Sequence, residues 1–183
     1  MRYEVKKGNH DFHPNLTSQF WPVTRSISEV ITLGMDPNCW YNTCDVAGGK
    51  SWNKAGGIGG WLFENNKNAV LLAWRPDDSI NQFVASLYVN DKEGKWLVVK
   101  EVYFGIDETA ILAYERKGSK GSMEFKLFTV DARTGDMRLP EAVDYTWDNP
   151  PAVLRRRGPW FGGRFPAYQD MTKWVSFNKL KNE

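Results

Sequence analysis

Apolar residues recur at every second position over one stretch of this chain after another, and that period commits most of it to β-strands. Ile27, Ile31 and Leu33 share a side, and Phe83, Ala85, Leu87 and Val89 alternate with Gln82, Ser86 and Asn90. Met123, Phe125 and Leu127 alternate with Glu124 and Lys126, and Val175 and Phe177 alternate with Ser176 and Asn178. Each pattern describes a strand with one buried face. Ala69 to Trp74 is a continuous apolar run, and Trp96 to Phe104 is a longer one broken by Lys100 and Glu101. Both read as strands covered on two faces.

Turn chemistry separates these runs at short intervals. Pro76-Asp77-Asp78, Asn90 to Gly94, Lys117 to Gly121 and Asp131 to Asp136 each read as a hairpin turn. The segment Ile106 to Tyr114 fits a short helical turn as well as a strand, and no stretch carries an apolar helical stripe capped at both ends. Gly158 to Thr172, with paired glycines between aromatics followed by a proline, describes a chain that folds back and re-enters a sheet near Met171. The pattern predicts an all-β protein, an antiparallel two-sheet jelly-roll β-sandwich whose closing strand lies beside an N-terminal one.

With 183 residues the chain reads as one sandwich domain spanning 1–183. Its long exception is residues 36–60, where Gly48, Gly49, Gly56, Gly57, Gly59 and Gly60 read as an irregular Gly-rich loop. The net charge of +2 raises no strong field, so no specific nucleic-acid partner and no membrane partner is expected. Self-association is left open. Met1 to Lys7 has no apolar core of a signal peptide, so the expectation is a protein of the cytoplasm or, if phage-encoded, of a virion. Cys39 and Cys44 lack the spacing of a redox or zinc motif and read as free thiols.

The motifs also resemble a family. Gly8-Asn9-His10, Cys39-Trp40-Tyr41, Asn53-Lys54-Ala55-Gly56, Ala73-Trp74-Arg75 and Phe161-Gly162-Gly163 with Pro166-Ala167 and Asp170 follow one another in an order similar to that of concanavalin-like jelly-roll proteins of bacteriophages and gut bacteria, described as lectin-like or polysaccharide-lyase-like. The resemblance implies a concanavalin-like jelly roll and a phage setting, and supplies no catalytic residues to carry over. Tyr168-Gln169 stands before Asp170 where that family has a His, and Asp144 to Arg157 is an added segment.

Little in the chain reads as catalysis. Gly48-Gly49-Lys50-Ser51 has Cys44 where a phosphate-binding loop needs its first glycine. His10 and His13 read as a polar loop pair, and no run of closely spaced carboxylates suits a glycosidase. A lyase would want a Tyr base and an Arg on one sheet face, for which Arg75, Tyr88 and Tyr103 are the candidates. No cofactor is expected; Asp36, Asn38 and Asp45 are the residues a calcium ion would use, though they read as turn formers. Arg155-Arg156-Arg157 reads as a solvated sheet edge.

Sugars bind by stacking their C–H faces on aromatic rings beside polar groups. Trp40, Tyr41, Trp52 and Asn53 in the Gly-rich segment, with Trp160 and Phe161, have that composition and are the candidate carbohydrate-binding residues. The resulting expectation is a non-catalytic binding module, a decoration or adhesion protein of a phage virion that docks on glycan or a protein assembly. The alternative is a lyase or glycoside hydrolase on the same fold.

Overall fold

A computed structural model describes residues 1–13, 20–21, 27–60, 68–116, 121–137, 142–159, 161 and 165–179. Two six-stranded antiparallel sheets form a jelly-roll β-sandwich. The strands are β1 (Arg2–Val5), β2 (Phe20–Trp21), β3 (Ile27–Met35), β4 (Asn53–Gly59), β5 (Ala69–Asp77), β6 (Gln82–Asn90), β7 (Trp96–Phe104), β8 (Glu108–Arg116), β9 (Met123–Asp131), β10 (Val143–Trp147), β11 (Leu154–Arg157) and β12 (Met171–Lys179). The first sheet runs β1-β12-β3-β8-β9-β10 and the second β2-β11-β4-β5-β6-β7.

The period-two pattern sets both layers. Ile31, Leu33, Leu112, Tyr114, Phe125, Leu127 and Val175 of the first sheet meet Val70, Leu72, Trp74, Phe83, Leu87 and Phe104 of the second in one apolar cluster. The closing strand β12 lies between β1 and β3, with Glu4 opposite Thr172 and Val175 opposite Leu33, as the sequence predicts. The predicted turns between β5 and β6, between β6 and β7, and after β9 also form.

The structure settles one open alternative and corrects three expectations. Ile106 and Asp107 form a turn and Glu108–Arg116 is strand, because Ala110, Leu112 and Tyr114 alternate into the core. The run Trp96–Phe104 is an edge strand whose Trp96, Leu97 and Tyr103 are exposed. The Gly-rich loop stops at Trp52: Asn53–Gly59 is strand β4, between β11 and β5. At Gly57 a β-carbon would stand 2.3 Å from the Val70 carbonyl oxygen, so glycine here serves close strand packing.

The arginine run is the third correction. β11 lies inside its sheet, between β2 and β4. Arg156 crosses to the first sheet, where its Nε and Nη2 donate to Glu29 at 3.0 and 2.5 Å. Tyr114 donates its hydroxyl to the same carboxylate at 2.5 Å. Arg157 is buried and donates to the Gly60 carbonyl. The buried acid on β3 therefore draws Arg156 inward, because a charge removed from water needs a hydrogen-bonded partner.

Candidate functional site

Strand alternation gives the second sheet an inner face and an outer one. On β5, Val70, Leu72 and Trp74 enter the core, so Leu71, Ala73 and Arg75 face outward. On β6 the outward set is Val84, Ser86 and Tyr88. On β7 a register shift beside Ser86 changes the phase: Val99 lies opposite Leu87 on the core side, while Glu101 lies opposite outward-facing Ser86. The Ser86 hydroxyl bonds the Val99 carbonyl and reaches that of Lys100 at 3.2 Å, pinning this bulge. As a result Glu101 and Tyr103 share the outer face with Arg75.

These side chains converge. Arg75 Nη2 donates to Glu101 Oε1 at 3.4 Å, Tyr103 donates its hydroxyl to Glu101 Oε2 at 3.3 Å, and the Arg75 guanidinium lies 5.0 Å from the Trp52 ring centre. Beside them, Thr43, Cys44, Lys50, Trp52, Arg75, Asp77, Asp78 and Ser79 line an open groove of about 440 Å³. It is walled by the segment before β4 and by the β5–β6 turn. Asp78 Oδ2 accepts from the Thr43 amide and hydroxyl, both at 2.7 Å, which ties one wall to the other. Asp77 Oδ1 accepts from the Ser79 hydroxyl at 2.6 Å and its amide at 3.1 Å. The hydroxyl bond above all holds the Asp77 carboxyl below its ordinary range. Trp52 is half-buried and lines the groove.

Farther along the same face, Lys54 Nζ sits 4.2 Å from the Tyr88 ring centre and donates to the Trp52 carbonyl at 2.6 Å. Burial lowers this amine to about 8. Tyr88 stacks on Trp96 with ring centres 5.3 Å apart, and Trp96 is 60% exposed. Sequence reasoning missed Lys50, Asp77, Asp78, Glu101 and Trp96 as members of a shared surface.

The other sequence candidates lie elsewhere. Tyr41, Asn53 and Phe161 are buried, and Asn53 Nδ2 donates to the Tyr41 hydroxyl at 3.2 Å. Tyr41 and Phe161 pack on Tyr168, with ring centres at 4.9 and 5.4 Å. Trp40 packs edge-on against Phe83 at 5.4 Å. Trp160, like Trp61, Gly162 and Gly163, is outside the described residues. Three of the family-like motifs meet at this joint. The Phe161 amide donates to the His10 carbonyl at 2.6 Å, the Ala167 amide to that of Asn9 at 2.8 Å, and Gln169 to those of Asn38 and Trp40.

Asp36 accepts from the Trp174 indole and Asn38 Oδ1 from the Thr172 amide, so both have structural work. Among the described residues, no three of His, Cys, Asp or Glu gather as metal ligands. Cys39 is a buried free thiol pushed up to about 12 by desolvation, and Cys44 is exposed at the groove. No helix among the described residues is long and apolar enough to cross a membrane.

Fold and site together define an antiparallel jelly-roll sandwich with an aromatic-walled polar groove at one end of its outer sheet face. No protein-family model and no curated protein matches the chain. Among solved structures, a functionally unknown protein from Saccharomyces cerevisiae is 8% identical over 91% of this chain and 74% of that one, with a TM-score of 0.45. The CBM2 module of the evolved Dit of Lactobacillus casei BL23 phage J-1 is 12% identical over 91% and 70%, with a TM-score of 0.43. An alginate lyase from Alteromonas sp. 272 is 11% identical over 99% and 79%, with a TM-score of 0.37. Likenesses of this size carry no argument about activity.

Proposed function

We propose that this protein is a non-catalytic binding module that docks on glycan through the groove beside Trp52. One observation carries the reading: half-buried Trp52 stands in the wall of a groove lined otherwise by the hydroxyls of Thr43 and Ser79, the carboxylates of Asp77 and Asp78, the cations of Lys50 and Arg75, and the Cys44 thiol. That is the combination that stacks a sugar ring and fixes its hydroxyls. The charged groups are tied in place, Asp78 by Thr43, Asp77 by Ser79 and Glu101 by Arg75, which suits a preformed binding surface. The reading calls for no cofactor. A virion setting rests on the sequence resemblance to phage-encoded jelly rolls.

A polysaccharide-active enzyme is the second reading, favoured by Arg75, Tyr88 and Tyr103 sharing the outer face, with the lowered Lys54 amine among them. A glycan array run beside a turnover assay separates the two. Retention on glycan without new reducing or unsaturated ends supports a binding module, and such ends above a heat-killed control establish an enzyme.

A further inference from the structure

We infer that the glycan surface does not end at the groove but runs on to a second aromatic subsite at Trp96, so that its ligand is an extended oligosaccharide held at both ends. The inference rests on the glycan-binding reading and adds a second contact and the ligand's length to it.

Close contacts link the two ends. Trp52 lines the groove, and its carbonyl accepts from Lys54 Nζ at 2.6 Å. That amine lies 4.2 Å from the Tyr88 ring centre, and Tyr88 stacks on Trp96 with ring centres 5.3 Å apart and planes 13° from parallel. Tyr88 is thus tied to the groove through Lys54 and supports the Trp96 indole. Alternation puts these side chains on one face: Lys54 is opposite outward-facing Ala73, and Trp96 is opposite Asn90, the next outward position on β6 after Tyr88.

Trp96 is 60% exposed, so most of its apolar surface has no partner in the fold. Leu97, 52% exposed, alternates to the other side of β7 and does not widen that surface. What remains is a flat, supported ring rather than a broad apolar patch, and it suits the C–H face of a sugar better than a protein partner.

Register sets the span. Trp52 precedes Asn53, which is opposite Trp74, so it stands at the level of Arg75, whereas Trp96 is opposite Asn90 and Asn90 opposite Ala69. From Arg75 to Ala69 along β5 is about 20 Å, and from β4 to β7 is three strand spacings, about 14 Å. The two indoles are therefore about 25 Å apart. A trisaccharide reaches one of them, whereas an octasaccharide reaches both. Once the groove holds one end, the second contact is intramolecular and adds affinity at little further cost in entropy. The contacts of Lys54 and Tyr88 hold the second platform in place before the ligand arrives.

The test is isothermal titration calorimetry with trisaccharides and octasaccharides of the cello-, manno-, galacturono- and mannurono- series. In the series that binds, the octasaccharide should bind at least about tenfold tighter than the trisaccharide. Trp96→Ala should remove that gain and leave the trisaccharide within about twofold, and Trp96→Tyr, which keeps a ring, should retain most of it. Trp52→Ala should weaken both lengths. An octasaccharide no tighter than its trisaccharide overturns the inference and leaves the binding reading intact, as does a Trp96→Ala variant that keeps the gain. Equal weakening of both lengths in Trp96→Ala means that Trp96 acts through the fold, and overturns the inference as well. Failure of every oligosaccharide at millimolar concentration overturns the binding reading and this inference with it.

Discussion

Lys173 Nζ donates to the carbonyl of Lys54 at 2.8 Å, so a lysine of the first sheet closes a hydrogen bond on the second through the core. The ammonium lies 3.9 Å from the Phe12 ring centre and 5.4 Å from that of Trp74, and the residue is fully enclosed. A carbonyl and two ring faces stabilise a cation less than water does. Burial accordingly pulls this amine down to about 7.

That shift has a definite sign. From about pH 7 up to the ordinary 10.5, the unfolded chain binds a proton at Lys173 that the folded chain does not, so stability rises with pH over that window. Lys54, lowered to about 8, acts in the same direction, while Cys39, raised from 9.0 to about 12, opposes it above pH 9. Between pH 7 and 9 the melting temperature should therefore rise. In Lys173→Met the rise should flatten, and stability at pH 7 should match or exceed the wild type, because an apolar chain of similar length replaces a buried charge. Calorimetry across this range checks both, and a wild-type melting temperature that falls from pH 7 to 9 contradicts the assignment.

Ser86 should matter to stability and binding together. Its hydroxyl holds the bulge that turns Glu101 toward Arg75, so Ser86→Ala leaves bulge carbonyls short of a donor and loosens the Glu101 anchor. The expected loss is about 1–3 kcal/mol in urea denaturation, with weaker glycan binding at temperatures where the variant is still folded. Unchanged stability would mean that the bulge holds itself.

Most of the fold is legible in the sequence, because burial of one face writes its period into Ile31 and Leu33, Phe83 to Val89, and Phe125 and Leu127. Three features are not. The phase shift on β7 is hidden in Trp96 to Phe104, a run that reads as covered on two faces, and only pairing with β6 puts Val99 on the core side and Glu101 on the outer one. Asn53–Gly59 carries no apolar alternation because its glycines make room for neighbouring backbone, and Arg156 faces inward because of Glu29, far away in sequence. The groove is hidden for the same reason, since strand register brings Trp52, Arg75 and Glu101 together.

Gly57→Ala tests whether β4 depends on that close approach. The added methyl group would meet the Val70 carbonyl oxygen at 2.3 Å and the Leu71 Cα at 2.7 Å, both backbone atoms in a central strand. Relief requires β4 and β5 to separate. The expected cost is about 1–3 kcal/mol or more, read as a lower melting temperature or loss of soluble protein. A variant as stable as the parent would show that the two strands can move apart freely.

Trp52 and Phe125 should separate binding from stability. Trp52 is half-buried at the groove, whereas Phe125 is 2% exposed and packs against Tyr114, Tyr145 and Trp147. Phe125→Ala removes a ring the core cannot replace and should cost about 3–5 kcal/mol. Trp52→Ala forfeits the Arg75 contact and a ring that is enclosed only in part, so it should lower the melting temperature clearly less than Phe125→Ala does while glycan binding is lost. The comparison is made by urea denaturation and calorimetric titration of both variants. If Trp52→Ala is destabilised as far as Phe125→Ala, then Trp52 is packing that holds the segment before β4 against Arg75, and the groove loses the aromatic wall on which its function depends.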